Sequence, residues 1–396
     1  MRDPDLLDLE TWADDDEEAT AADAFAPPHV VHVTQYLTEG AAAFMRSVMA
    51  EVETLGWRQT LTLGRRADRA AEIERGIPCS VSLIELPDRA RSKLRYARAL
   101  ARVLDEFALQ PDPLVVHLHA VETGLIERVL LARLRRRALC YCTPDLGSLL
   151  NPLRPVARAS HRVLERVAGR LPLTPVCRCV AVGQVLARAW GRPAYVVEEP
   201  IDDCFLDVVA RDAEPPTVIC VGRPAEHNAP DVFAQLALRF EIDEVPARFV
   251  WVGDGDAAQV ARLRASAVDV VRCGSTRELA QALAGASIFV QPSVWEGVPK
   301  SLIRAMAAGL PCVALDAPNH RDLIVHGRTG FLVRDLDDFD RHVRWLLTEP
   351  EARRWLGAAA RRAVRARFAR TRFRAALLRL YGQPDAAETG RGPLHA

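Results

Sequence analysis

The chain has 396 residues, 49% of them hydrophobic and 26% charged, and its 52 basic residues balance 52 acidic ones to a formal net charge of zero. That length allows two domains with substantial cores, and the balanced charge argues against nucleic acid as a partner. With an acidic N-terminus and no apolar run near ~18–20 residues, neither a secretory signal nor a membrane span is expected, and a cytoplasmic location follows.

Residues 1–28 are acidic and poor in aromatic side chains, with Asp14, Asp15, Asp16, Glu17 and Glu18 in a run, and read as a disordered tail. Val30 to Leu37 predicts the first strand and Gly40 a turn. The segment AAAFMRSVMAEVETLGW then has helical apolar spacing, and Arg58 to Leu63 predicts the second strand. Strand, glycine turn, helix and strand begin a Rossmann-like half. Ser80 to Leu86 predicts another strand and Arg91 to Phe107 an amphipathic helix. In Leu114 to Ala120, LVVHLHA, the period of two puts His117 and His119 on one strand face. The helix Leu125 to Arg137 ends in Arg133, Arg135, Arg136 and Arg137, cations that suit a helix C-terminus.

The strand Ala138 to Thr143 runs into Asp145, and a basic, partly amphipathic helical region, Pro152 to Leu171, follows. Its Arg154, Arg158, Arg162, Arg166 and Arg170 fit either a solvated face or contact with an anionic membrane surface. Val176 to Val182 predicts a further strand. Nine cysteines occur without a C-x-x-C pair; Cys140 with Cys142, and Cys177 with Cys179, are placed on strand faces and read as buried reduced thiols rather than metal ligands. The polar, proline-marked stretch 203–216 reads as an interdomain linker.

A second strand-helix alternation begins at Thr217. Ala247 to Ala257 predicts a strand and a turn carrying Gly253 and Gly255; Val268 to Cys273, Arg277 to Ala284 and Ser287 to Val290 continue it. The stretch Phe289 to Val333 organises the whole. Its loop delivers Glu296 and Gly297 just before a helix starting near Lys300. The free amides from Val298 to Ser301 make a natural seat for an anion such as a diphosphate. Gly297 lets the backbone approach a ligand, Pro299 suits a first helical turn, and Ala305, Ala307, Ala308 and Gly309 favour close packing. A helical, arginine-rich end follows, with an apolar seam through Phe368, Phe373, Leu377, Leu378, Leu380 and Tyr381, before a loose tail at 383–396.

With Pro292, Ser293, Glu296, Gly297, Ala305, Met306, Ala307, Gly309, Pro311, Val313, Ala314, Asp322, Gly327, Thr329 and Gly330 in register, this stretch resembles the nucleotide-sugar half of family 4 glycosyltransferases (glycosyl transferases group 1). The resemblance covers about residues 29–382. It implies a retaining enzyme of α/β GT-B fold, two Rossmann-like domains facing across a cleft with a C-terminal helix crossing back to the first. The expected division is an acceptor-side domain at 29–202, the linker at 203–216, a nucleotide-sugar domain at 217–370 and the crossing helix at 371–382. Three positions depart from the family pattern. Asp145 stands for a histidine near the transferred sugar, Asn228 for a lysine that neutralises the donor diphosphate, and Arg304 for a glutamate that holds the ribose.

On this reading Glu296, Asp145 and His119 are the candidate catalytic residues. Gly40, Arg223, Asn228, Gly253, Gly255, Gly297, Val298, Pro299, Lys300, Ser301 and Arg304 are the candidates for binding the donor's diphosphate, sugar and nucleotide. No cofactor or metal is implied; the donor, a UDP-, GDP- or ADP-sugar, is a substrate. The resemblance implies a glycan or lipid-linked acceptor, synthesis of a surface polysaccharide or glycoconjugate, and peripheral membrane contact through the arginine-rich first domain. The alternative is a catalytically degenerate GT-B protein that binds a protein partner or a glycan.

Overall fold

A computed structural model describes residues 26–34, 39–64, 77–78, 80–88, 91–119, 125–134, 137–143, 155–211 and 214–382. Its first sheet contains β1 (His29–Thr34), β2 (Gln59–Gly64), β3 (Ser82–Leu86), β4 (Leu114–His119), β5 (Leu139–Thr143), β6 (Thr174–Cys177) and β7 (Tyr195–Val196). They run parallel in the order β3-β2-β1-β4-β5-β6-β7. The second sheet contains β8 (Thr217–Val221), β9 (Arg248–Val252), β10 (Val268–Val271), β11 (Ile288–Gln291), β12 (Cys312–Leu315) and β13 (Phe331–Val333). It too is parallel, in the order β10-β9-β8-β11-β12-β13. Each sheet therefore reverses its winding once, between β1 and β4 in the first and between β8 and β11 in the second. Ligands of open α/β sheets bind outside the strand ends at such reversals.

Burial explains why the central strands read as continuous apolar runs. Every residue of β1, β2, β4 and β11 is buried, as expected for strands covered by helices on both faces. The helix Arg370–Gly382 crosses back to the first sheet, where Phe373, Leu377, Leu380 and Tyr381 pack among Val30, Phe44, Val48, Val115, Tyr141, Val176 and Val197. The two domains form a GT-B fold.

Two local expectations are corrected. The strand predicted through Val182 ends at Cys177, and Val180–Trp190 is a helix with Cys179 as its N-cap. Cys177 and Cys179 therefore do not share a strand face, although both are buried. Pro299 is the N-cap of helix Lys300–Ala307 rather than part of its first turn. The stretch read as a linker is, where described, fastened to the second domain. Phe205 lies in that domain's core, and the Ala210 and Arg211 amides donate to the carbonyls of Ala308 and Ala284.

The helix Lys300–Ala307 packs as its small residues suggest. Ala305, Ala307 and Ala308 are fully buried, and Gly309 ends the turn at φ +82°, a left-handed conformation that favours glycine. The helix Pro350–Arg367 lies so close that a Cβ on Gly357 would fall 1.9 Å from the Gly309 carbonyl oxygen.

Candidate active site

The second sheet's reversal point collects the charged and polar side chains. At the end of β11, Gln291 is buried, and its amide donates to Ser293 Oγ at 2.8 Å and to Glu296 Oε1 at 2.5 Å. Its amide oxygen accepts from Ser301 Oγ at 2.9 Å. Ser293 Oγ lies 2.8 Å from Glu296 Oε1 and 3.3 Å from His320 Nε2. His320 Nδ1 faces the Leu315 carbonyl at 2.7 Å and, since a carbonyl only accepts, must carry its hydrogen there. Burial holds His320 below its ordinary pKa, so the ring is neutral and Nε2 is a bare acceptor.

Ser293 then has one hydroxyl hydrogen for two acceptors. When Glu296 is ionised the hydroxyl serves the carboxylate; when Glu296 is protonated it can donate to Ser293 and release that hydroxyl to His320. Burial pushes the Glu296 carboxyl up to about 7, with the Ser293 hydrogen bond pulling the other way. Glu296 is thus poised to exchange a proton near neutrality. Its loop is fixed from below by Asn319, whose amide donates to the carbonyls of Glu296 and Gly297.

Beside this carboxylate the cleft is open. A Cβ built on Gly297 would meet nothing within 4 Å, so packing does not require glycine there. By contrast, a Cβ on Gly253 would lie 2.0 Å from the Gly222 oxygen, and one on Gly255 would lie 2.9 Å from Pro224. Those two glycines let the loops after β8 and β9 touch. The helix Lys300–Ala307 starts with no side-chain cap, and although the Lys300 amide donates to the Val298 carbonyl at 2.8 Å, the positive helix end still favours an anion.

Of the three positions that depart from the family pattern, Asn228 and Arg304 have separate structural explanations. Asn228 donates to the Arg223 carbonyl at 2.7 Å and locks the turn after β8, while the Arg223 side chain is exposed. Arg304 lies 3.7 Å from Asp202 and over the Phe205 ring at 5.0 Å, so it engages the segment leaving the first domain. Asp145 lies outside the described residues.

The first sheet's reversal point is different in kind. His32, His117 and His119 are buried, with His32 Nδ1 3.0 Å from His119 Nε2 and the rings of His117 and His119 stacked at 4.1 Å. His117 also contacts Thr143 Oγ1 at 2.8 Å and Tyr381 OH at 2.6 Å. Burial first, and neighbouring imidazoles second, hold His117 and His119 well below the ordinary histidine range, so both are neutral. His119 Nδ1 has no hydrogen-bond partner among the described residues. Gly40 lies in the first turn of helix Glu39–Thr54.

Sequence reasoning missed Gln291, Asn319 and His320, the side chains that hold Glu296 and its loop. A signal for Gln291 was present, because it is the one polar residue in the buried strand IFVQ. For Asn319 and His320 no spacing in the sequence points to Glu296, more than twenty positions away.

Residues 215–349 match the family model of glycosyl transferases group 1. The chain is 33% identical over 234 residues to the sulfoquinovosyl transferase SQD2 of Arabidopsis thaliana, covering 54% of this chain and 44% of that protein. It is 37% identical over 155 residues to a GDP-mannose-dependent alpha-mannosyltransferase of Mycolicibacterium smegmatis, covering 38% and 39%. The chain thus spans less than half the length of these curated relatives. Among solved structures, a glycosyltransferase from Rickettsia africae superposes with a TM-score of 0.72 at 12% identity, over 90% of this chain and 98% of that one. Anabaena HepE in complex with UDP-glucose superposes at 0.70 and 14%, over 90% and 100%. Residues 215–349 thus resemble the glycosyl transferases group 1, within a chain of GT-B fold.

Proposed function

We propose that this protein is a glycosyltransferase that moves a sugar from a nucleotide-sugar donor to a glycan or lipid-linked acceptor with retention of configuration. The observation that carries the reading is Glu296. It is a carboxylate held by Gln291 and Ser293 at a sheet's reversal point, next to the open face of Gly297 and an uncapped helix start. In this reading the diphosphate lies at the amides of Val298 to Ser301 with Arg223 and Lys300 as counter-charges, and Glu296 hydrogen-bonds the donor sugar. The bond from the sugar's anomeric carbon to the phosphate oxygen breaks, and the bond to the acceptor oxygen forms on the same face. The acceptor's proton passes to the departing diphosphate oxygen. Stabilising the charge on that oxygen is the main task of the site.

The relatives support this reading: one is named a sulfoquinovosyl transferase, another a GDP-mannose-dependent mannosyltransferase, and HepE was crystallised with UDP-glucose. Asp145 and His119 are assigned to the sugar side. Surface polysaccharide or glycoconjugate synthesis is the corresponding role. Peripheral membrane contact would use the helix Pro155–Ala168, which exposes Arg162 and Arg166 beside Val163 and Val167. Among the described residues no helix is long and apolar enough to cross a membrane. The noncatalytic alternative draws on Arg304, whose engagement with Asp202 and Phe205 places a cation where the family has a ribose-binding carboxylate.

A melting scan against UDP-, GDP- and ADP-sugars tests the reading. A ligand at about 100 times its dissociation constant adds roughly 2.7 kcal/mol. A selective shift, lost in Glu296→Ala, followed by an NMR-determined product anomer matching the donor, is the expected result. A flat panel at millimolar ligand would favour the noncatalytic alternative.

A further inference from the structure

The chain meets almost every need for positive charge with arginine; only Lys93 and Lys300 among its 52 basic residues are lysines. Lys93 is exposed at the start of helix Lys93–Ala108. Lys300 stands in the cleft, where its Nζ lies 2.6 Å from Glu199 Oε2, with both side chains mostly buried. Glu199 belongs to the segment leaving the first domain and also accepts from Ser47 Oγ of helix Glu39–Thr54 at 3.3 Å.

The neighbouring carboxylate shows what a permanent clamp looks like here. Glu198 is gripped by the Arg367 fork, with Nε and Nη2 each within 3.1 Å of its oxygens, and the same guanidinium reaches Asp322 in the second domain. A planar fork on a carboxylate is geometrically locked, whereas an ammonium on a flexible stem is a point charge that can change partners. Two adjacent carboxylates thus tie the domains together, one through arginine and one through the cleft's single lysine.

The surroundings of Lys300 favour a second anion. Burial lowers its pKa first, Glu199 raises it, and Arg178 and Arg304 lower it further. Lys300 stands at a positive helix end with no side-chain cap, and its neighbour Arg304 pairs only at 3.7 Å with the largely exposed Asp202. Asn228 is committed to the Arg223 carbonyl, so the β8 loop contributes Arg223 alone as a cation.

We infer that Lys300 is an exchangeable cation. Glu199 holds it in the state seen here, and a diphosphate at the start of helix Lys300–Ala307 takes it over, so that diphosphate binding and the cross-domain Glu199–Lys300 pair exclude one another. The inference rests on reading this cleft as the donor site and adds to it a cost of binding: the donor must displace a carboxylate of the other domain. Binding then releases the Glu199–Lys300 tie between the domains while the Arg367–Glu198 clamp stays.

Isothermal titration of inorganic pyrophosphate into the full chain tests this. Glu199→Gln should bind about tenfold more tightly than the native protein and Lys300→Met about tenfold more weakly. In the double variant the gain from Glu199→Gln should vanish. Lys300→Arg, which keeps charge and fold, should also bind more weakly, because the fork stays on Glu199. Native-like affinity in Glu199→Gln, in Lys300→Met or in Lys300→Arg overturns the inference, as does failure of every variant to bind pyrophosphate. The nucleotide-sugar scan is read separately. A flat scan with the expected pyrophosphate order removes the glycosyltransferase reading alone, while a selective scan without that order removes this inference alone.

Discussion

The two reversal points share a strand order and differ in almost everything else. In the first sheet the place between β1 and β4 is filled by neutral imidazoles and closed by Tyr381 of the crossing helix. In the second, the place between β8 and β11 carries a carboxylate with a raised pKa, a glycine facing open space and an uncapped helix. Topology makes both places available, and side chains decide which is core and which is cleft. The comparison implies that damage to the first, apart from His119 on the proposed sugar side, should register as lost stability and damage to the second as lost ligand binding or turnover.

The largest expected effect is on the closed side. Phe373→Ala removes a buried ring from the seam between the crossing helix and the first sheet and should cost about 3–5 kcal/mol in chemical denaturation. A loss below 1 kcal/mol would show that the helix is not integral to that core.

Next comes Glu296→Gln, expected to lower turnover roughly 100-fold while nucleotide binding persists. The same variant tests the raised pKa. Between the unfolded value of 4.5 and about 7, the folded protein keeps the Glu296 proton that the unfolded chain has lost. The contribution of this group therefore falls as pH rises through that window, by on the order of 1–3 kcal/mol. Stability measured at pH 4.5 and pH 7.5 should show that fall in the native protein, and a smaller one in Glu296→Gln. Equal falls in both would place the proton elsewhere.

A glycine pair sharpens the contrast within the open side. Gly253→Ala forces a methyl onto the Gly222 carbonyl and should destabilise by about 1–3 kcal/mol. The Cβ introduced by Gly297→Val meets no atom within 4 Å, so this variant should melt close to the native protein yet lose the nucleotide-sugar shift. Retained ligand binding in Gly297→Val would move the donor away from this loop. The smallest effect belongs to Asp202→Asn. Its pair with Arg304 is long and Asp202 is more than half exposed, so the stability change should stay below about 1 kcal/mol. A larger change would make Arg304 a structural anchor.

Much of this was legible in the chain. Alternating apolar runs and glycine-marked turns announce strands and helices because each periodicity reports a local geometry, and the stretch Phe289 to Val333 showed its loop, glycine and helix start without aid from the rest. Glu296 stood out for the same reason, since five residues of loop place it. Tertiary structure alone decided what surrounds it. Gln291, Asn319 and His320 reach the Glu296 loop because β11 and β12 are neighbours in the sheet and the short helix Pro318–Arg321 follows β12. Cys179 left its expected strand because the chain becomes helical at Val180. Lys300 meets Glu199, and Arg304 meets Asp202, because the two domains close on one another. Local periodicity is written into neighbouring residues, whereas the pairing of side chains a hundred positions apart depends on how whole sheets are stacked, and only the folded chain contains that.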